Sequence, residues 1–305
     1  MASTIDGAHR RLLVFGGRFR AAASGLYTLY NDVWSFDFAT EQWASIAAAN
    51  AGPSGRVNAS AVYDAATDEL VVFGGNTSRD GLQFVPSADV WALALATGTW
   101  RRVMASGTAP AARLFHAAAI RGRRMLVMDG GDVNAFVGPF FNDLNVLDLA
   151  TSTWSSLTRQ GDDPLGRINF GLLADVAGSR WIVLGGHDDG ALGNRNDAFA
   201  LADNGTFSTL VGGDTLNRPG TGFCSFPADF VTADLGAPER RSAFVSGVDP
   251  TRRRALLFGG KTDCGTTNDV WVFDFAMGRW QPARPSTLGV SCQRSGVQTC
   301  TSLCQ

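Results

Sequence analysis

Short apolar runs alternate with short polar ones along this chain, and one apolar run recurs five times. Leu12-Leu13-Val14-Phe15 ends in Gly16-Gly17, Leu70-Val71-Val72-Phe73 in Gly74-Gly75, and Met125-Leu126-Val127-Met128 in Asp129-Gly130-Gly131. Trp181-Ile182-Val183-Leu184 ends in Gly185-Gly186 and Ala255-Leu256-Leu257-Phe258 in Gly259-Gly260. The glycine pairs begin at 16, 74, 130, 185 and 259, so the steps are 58, 56, 55 and 74. A fixed period of about 50 residues marks a repeat architecture. An apolar run closed by glycines predicts a buried strand, followed by backbone that needs positive φ or close approach.

Other positions repeat with the glycines. A loop leads to Asn31-Asp32-Val33-Trp34, Asp89-Val90-Trp91, Asn142-Asp143-Leu144, Asn196-Asp197-Ala198 and Asn268-Asp269-Val270-Trp271. A polar turn leads on to Trp43, Trp100, Trp154, Phe207 or Trp280. Four Pro-x-x-Arg pairs follow, Pro53/Arg56, Pro110/Arg113, Pro164/Arg167 and Pro238/Arg241, each opening another apolar run. One unit is therefore four short strands: arginine-led, Gly-Gly, Asn-Asp and Trp.

These motifs resemble the kelch repeat over roughly residues 1–283. The resemblance implies an all-β, kelch-type β-propeller with five four-stranded blades, at about 1–46, 56–103, 113–157, 167–210 and 241–283. The first blade is expected to lack most of its inner strand, because residues 1–6 align with only the end of an arginine-led strand. Closure of five blades by Ser286–Ser291, or membership of a larger propeller, are both open. The propeller is expected over 1–285 and a cysteine-containing tail over 286–305. The insertion 211–237 has neither a Gly-Gly nor an Asn-Asp strand, so it is expected to be a long loop and not a blade.

Net charge is −2, which argues against a nucleic-acid groove or an anionic membrane surface as partner. No apolar run is long enough for a transmembrane helix, and arginines interrupt the first 20 residues, so no signal peptide is read there. A monomeric propeller is expected. All five cysteines lie beyond residue 223. Cys224 and Cys264 fall in loops on one face of adjacent blades, which makes them a candidate disulfide. Cys292, Cys300 and Cys304 look like the start of a disulfide module of the kind that follows propellers in secreted or cell-surface kelch proteins. An extracellular and a cytoplasmic location both remain open.

Antiparallel order puts the long, variable loops (18–30, 76–88, 132–141, 187–195, 261–267) on one face with the Pro-x-x-Arg entries. Variable loops on a rigid scaffold are where binding sits. The candidate binding residues there are Arg56, Arg113, Arg167, Arg241, Tyr27, Phe84, Phe136, Phe140, His187 and Phe223. Guanidinium forks suit carboxylate ligands, and in kelch adaptor proteins arginines at comparable entries contact acidic peptides. Repetition at identical spacing favours the other reading, in which each arginine pairs with an Asp of a neighbouring loop or bonds backbone carbonyls and so holds blade to blade. The loop aromatics do not repeat, and an apolar patch made from them would mark a partner site.

The enzymatic relatives of the fold serve as tests. Galactose oxidase-like proteins build a copper site from two Tyr and two His, with one Tyr cross-linked to Cys. Here Tyr27, Tyr30 and Tyr63 are the only tyrosines, and the first four blades hold no cysteine. Plant specifier proteins hold iron through Glu-x3-Asp-x3-His, and none of Glu41, Glu69 or Glu239 opens that pattern. No triad, phosphate loop or zinc spacing stands out. The expectation is a non-catalytic protein-binding module that needs no cofactor. The alternative is a small-molecule or carbohydrate-binding propeller, enzymatic or not, with an Arg/Asp-lined channel.

Overall fold

A computed structural model describes residues 1–78, 80, 83–217, 231–263 and 265–287. Every regular element among them is a β-strand. Two compact units form, Met1–Leu157 and Thr158–Gln305.

The first unit holds three blades of consecutive antiparallel strands. Blade one is Ala2–Asp6, Arg11–Phe19, Thr28–Asp37 and Gln42–Ile46. Blade two is Ser60–Asp64, Glu69–Phe73, Val90–Ala94 and Thr99–Arg102. Blade three is Ala117–Arg121, Arg124–Met128, Leu144–Asp148 and Thr153–Leu157. The second unit holds blade four (Gly171–Asp175, Arg180–Asp188, Asn194–Leu201, Thr206–Val211) and blade five (Val245–Asp249, Arg254–Thr262, Gly265–Asp274, Arg279–Arg284). The inner strand expected to be mostly missing from blade one is present. Ala2–Asp6 has five residues, like Ser60–Asp64, and pairs fully from Ala2↔Phe15 to Asp6↔Arg11.

The Gly-Gly strand of blade two is buried on both faces, whereas blade five's leaves Leu256 and Phe258 exposed. Leu70 to Phe73 are all 0% exposed. Outer-strand tryptophans pack on the Gly-Gly strand of the preceding blade, with Trp100 5.7 Å from Phe15 and Trp154 5.5 Å from Phe73. A buried aromatic contributes roughly 2–3 kcal/mol by area alone. Trp100, Trp154 and Trp280 are buried, as blade-packing residues should be. Trp43 departs from that expectation at 53% exposed.

The glycines are there because the next blade's arginine backbone crosses them. Gly17 N–H donates to Arg56 O at 2.9 Å, and Gly75 N–H to Arg113 O at 2.8 Å. A Cβ on Gly74 (φ +67) would lie 2.9 Å from Arg113 O. In blade three this pair is Asp129-Gly130 and not Gly130-Gly131, since Asp129 carries the first positive φ (52°) and Gly130 the second (100°). Asp tolerates that backbone better than most residues.

Each outer strand of blades two to four gains an edge segment from the preceding connection, which the four-strand reading missed. Ser106–Gly107 pairs in parallel with Thr153-Trp154, and Gln160–Gly161 with Thr206-Phe207. Over blade two, Asn50 does the same with its side chain, accepting from Trp100 N–H at 2.7 Å and donating to Trp100 O at 2.8 Å. In the insertion, Thr215–Leu216 and Val231–Thr232 form a two-stranded ribbon. Ser286 and Thr287 bond to Asn268. Cys224, Cys264, the tail cysteines and Phe223 lie outside the described residues.

Candidate partner-binding face

The four repeated arginines share one geometry. Arg56, Arg113, Arg167 and Arg241 are at most 2% exposed. Each donates Nε to the carbonyl two residues before it, at 2.9–3.3 Å. Each donates Nη1 to the carbonyl where the glycine pair begins: Gly74, Asp129, Gly185 and Gly259, at 2.8–3.0 Å. Each then forks on the aspartate of its own Asn-Asp strand, Asp89, Asp143, Asp197 or Asp269. Such a fork spends the guanidinium on its own blade.

The aspartates respond to that pairing. Burial raises Asp89, but hydrogen bonds from Arg56 and Ser87 outweigh it and hold the carboxyl at about 2. Asp269 is also lowered, with burial overcome by the Arg241 pair and Trp271. Trp91 and Trp271 each donate their indole N–H to this aspartate, at 2.9 and 2.7 Å. The Asn that precedes it anchors the outgoing connection: Asn31 and Asn196 donate to the carbonyls of Pro53 and Pro238. In blades two and five Arg, Asp and Trp thus form one hydrogen-bonded set, and in blades one and four the Asn holds the outgoing proline.

The non-repeating residues behave differently. Phe84, from the loop of blade two, lies 5.1 Å from Phe136 in the loop of blade three. Phe115 lies 5.8 Å from Phe84 and 5.2 Å from Phe136, which closes a three-ring cluster. Phe136 is 66% exposed, and Val85, Val133 and Val137 are exposed beside it in the same loops. In blade one's loop, Tyr27 carries the guanidiniums of Arg18 and Arg20 at 4.2 and 4.6 Å. Its backbone N–H donates to Asp80 O at 3.1 Å, which joins the loops of blades one and two.

Phe115 was not foreseen from the sequence. It stands two residues after Arg113, with φ +57°. The same place holds Asn58, Asn169 and Ala243, also at positive φ. A bulky residue in the left-handed region is an outlier, costing on the order of 1 kcal/mol. The available signal was a phenylalanine where two other units put asparagine.

The remaining candidates separate. Phe140 is buried, at 8% exposed. His187 is half-buried with Nδ1 3.3 Å from Asn194 Oδ1, in the second unit. The adjacent Asp188 is raised by burial, although Arg195 and Arg167 pull it down. His116 is a core residue: Nε2 lies 2.8 Å from Ser60 Oγ, and burial and Arg113 lower its pKa to about 3.

Four-stranded antiparallel blades, written five times and carrying in four of them the same Arg–Asp device, define a kelch-type β-propeller fold. The chain belongs to the KLHDC2/KLHL20/DRC7 Kelch-repeats domain family, which matches residues 2–211. Domains of this kind are typically protein-interaction modules. Among curated proteins, it is 33% identical over 179 residues to Acyl-CoA-binding domain-containing protein 4 of Arabidopsis thaliana, covering 59% of this chain and 24% of that protein. It is 34% identical over 163 residues to Multiple epidermal growth factor-like domains protein 8 of Mus musculus, covering 52% of this chain and 6% of that protein. It is 28% identical over 265 residues to N-(sulfonatooxy)prop-2-enimidothioate sulfolyase of Thlaspi arvense, covering 83% of this chain and 68% of that protein. The chain thus spans about a quarter or less of the length of the first two. No helix among the described residues is long and apolar enough to cross a membrane.

Proposed function

We propose that this domain binds a protein partner through the variable loops of blades one to three, centred on Phe84, Phe115 and Phe136. The observation that carries the reading is Phe115. Its backbone is held at positive φ in the position where other blades place Asn or Ala, and its half-buried ring completes a cluster with half-buried Phe84 and exposed Phe136. Strain kept where a smaller residue would relieve it points to use of the side chain. Exposed aromatics in a contiguous apolar patch supply binding energy when a partner covers them. The loops that carry the patch belong to blades whose arginines, Arg56 and Arg113, are buried and forked on Asp89 and Asp143.

The proposal is tested by affinity capture with the wild-type chain and a Phe84→Ser/Phe136→Ser variant. A partner retained by the first and lost by the second, with unchanged melting temperature, supports the site. Identical capture by both would place binding elsewhere.

A small-molecule reading has one observation in its favour, the likeness over most of both chains to a protein named as a sulfolyase. It would draw on the repeated arginines and aspartates. Their forks onto carbonyls and aspartates of their own blades favour a holding role for them, and so the partner-binding reading.

A further inference from the structure

The outer strands of blades two, three and four are each covered along their free edge by the connection that leaves the blade before. The first contact is the same in all three. Ala49, Ser106 and Gln160 donate their backbone N–H to the carbonyls of Gly98, Ser152 and Gly205, at 2.8, 2.9 and 3.1 Å. Each acceptor stands just before the outer strand and has positive φ, at 68°, 52° and 89°. The next residue of the connection lies beside the strand's aromatic residue. Asn50 bonds both the N–H and the carbonyl of Trp100 through its side chain. Gly107 and Gly161 lie opposite Trp154 and Phe207 in parallel pairing. Both glycines have positive φ (78° and 75°), and a Cβ on either would collide with the carbonyl oxygen of that aromatic residue. In two of the three blades the covering backbone thus has to be glycine there.

Blade one has the same edge with nothing laid along it among the described residues. Its outer strand, Gln42–Ile46, pairs with Thr28–Asp37 and with no other described strand. Glu41, just before that strand, has φ 57° like Ser152, and no described residue donates to its carbonyl. Trp43 stands where Trp100, Trp154 and Phe207 stand. It stacks on Phe36 of its own blade at 5.1 Å and is 53% exposed. Glu41 to Ser45 are all exposed. An uncovered edge is a template for pairing, and proteins usually guard it with lysine, proline or a bulge. Gln42–Ile46 carries none of these: its sequence is Gln-Trp-Ala-Ser-Ile and its register is unbroken.

We propose that this edge binds an extended, glycine-containing segment of a partner protein, added as a parallel strand beside Gln42–Ile46 with its glycine opposite Trp43. Strand addition of this kind draws its affinity from main-chain hydrogen bonds. The covered blades define what fits. The N–H before the glycine meets the Glu41 carbonyl, and the glycine lies against the Trp43 backbone, where a side chain would collide as it would at Gly107 and Gly161. The chain's segments of this kind at Ala49-Asn50, Ser106-Gly107 and Gln160-Gly161 already cover the next outer strand, which leaves another protein as the source. The edge uses none of Phe84, Phe115 or Phe136, so it is independent of the aromatic cluster.

The probe is a synthetic peptide with the sequence of Thr158 to Pro164, Thr-Arg-Gln-Gly-Asp-Asp-Pro, titrated into the isotope-labelled chain and followed by amide NMR. Shifts that saturate at Glu41 to Ile46 are expected. A Gly161→Val version of the peptide should give none. Trp43→Pro in the chain should lose them too, because it removes the N–H that Trp100 gives to Asn50 in blade two, at an edge where proline is accommodated. Absence of saturable shifts at Glu41 to Ile46 would overturn the proposal, and a chain that fills this edge with its own residues would give that result. Equal shifts from the Gly161→Val peptide would overturn it as well. So would shifts confined to blades two to four, which would mean exchange with the segments already there. Should Trp43→Pro fail to fold, the pair of peptides decides.

Discussion

The arginine forks and the phenylalanine cluster are both carried by the connections between strands, and they obey opposite rules. Arg56, Arg113, Arg167 and Arg241 are buried, repeat with the same partners, and end on carbonyls and carboxylates of their own blades. Phe84, Phe115 and Phe136 occur once, reach solvent, and include a residue in a backbone region it disfavours. A feature that every blade needs is repeated with the blade; one that a partner needs has no reason to be. Residue type misleads here, because forked arginines look like ligand binders and phenylalanines look like core.

The largest effect that would break this contrast lies in the second unit. Arg167 and Asp197 are each 1% exposed. Arg167→Met leaves a buried carboxylate and the Gly185 carbonyl without their donor, and should cost about 3–5 kcal/mol in chemical denaturation. Arg167→Lys should recover little of it, since an ammonium cannot fork. A mild loss of stability with loss of binding would instead make the arginines ligand residues.

Acid should act next. Asp89 is held at about 2, so its contribution is full above the unfolded carboxylate range and fades as pH falls from about 4 towards 2. The stability difference between pH 7 and pH 2.5, followed by denaturant titration, should shrink by about 2 kcal/mol in Asp89→Asn.

Phe115→Asn sharpens the comparison because stability and binding should move in opposite directions. Asn already occupies this backbone at positions 58 and 169. The variant should melt no lower than wild type, with a gain of up to about 1 kcal/mol, while partner capture falls at least tenfold. Phe136→Ala, at a mostly exposed ring, should change stability by less than about 0.5 kcal/mol and still weaken capture. A marked drop in the melting temperature of both variants would reassign the cluster to the fold.

Most of the fold was legible because its signals are local and repeated. The glycine pairs, the Asn-Asp turns and the Pro-x-x-Arg entries each announce one strand end, and four or five copies average out the exceptions. Blade three shows the limit. Its letters place the glycine pair at Gly130-Gly131, but the backbone needs it at Asp129-Gly130, since register is set by which carbonyl Arg113 reaches. The inner strand of blade one was underestimated for a similar reason. Ala2–Asp6 lacks the usual lead-in, yet pairing with Arg11–Phe15 is enough to hold it.

By itself the sequence determined the repeat, the strand order within each blade and the loops free to vary, because each follows from period, turn chemistry and apolar pattern. Tertiary structure alone decided which side chains meet. Whether an arginine forks inward, and whether Phe115 joins Phe84 and Phe136, both depend on packing between residues tens of positions apart in the chain. Such contacts leave no local pattern in the sequence, since they are fixed by how neighbouring blades bury their shared faces.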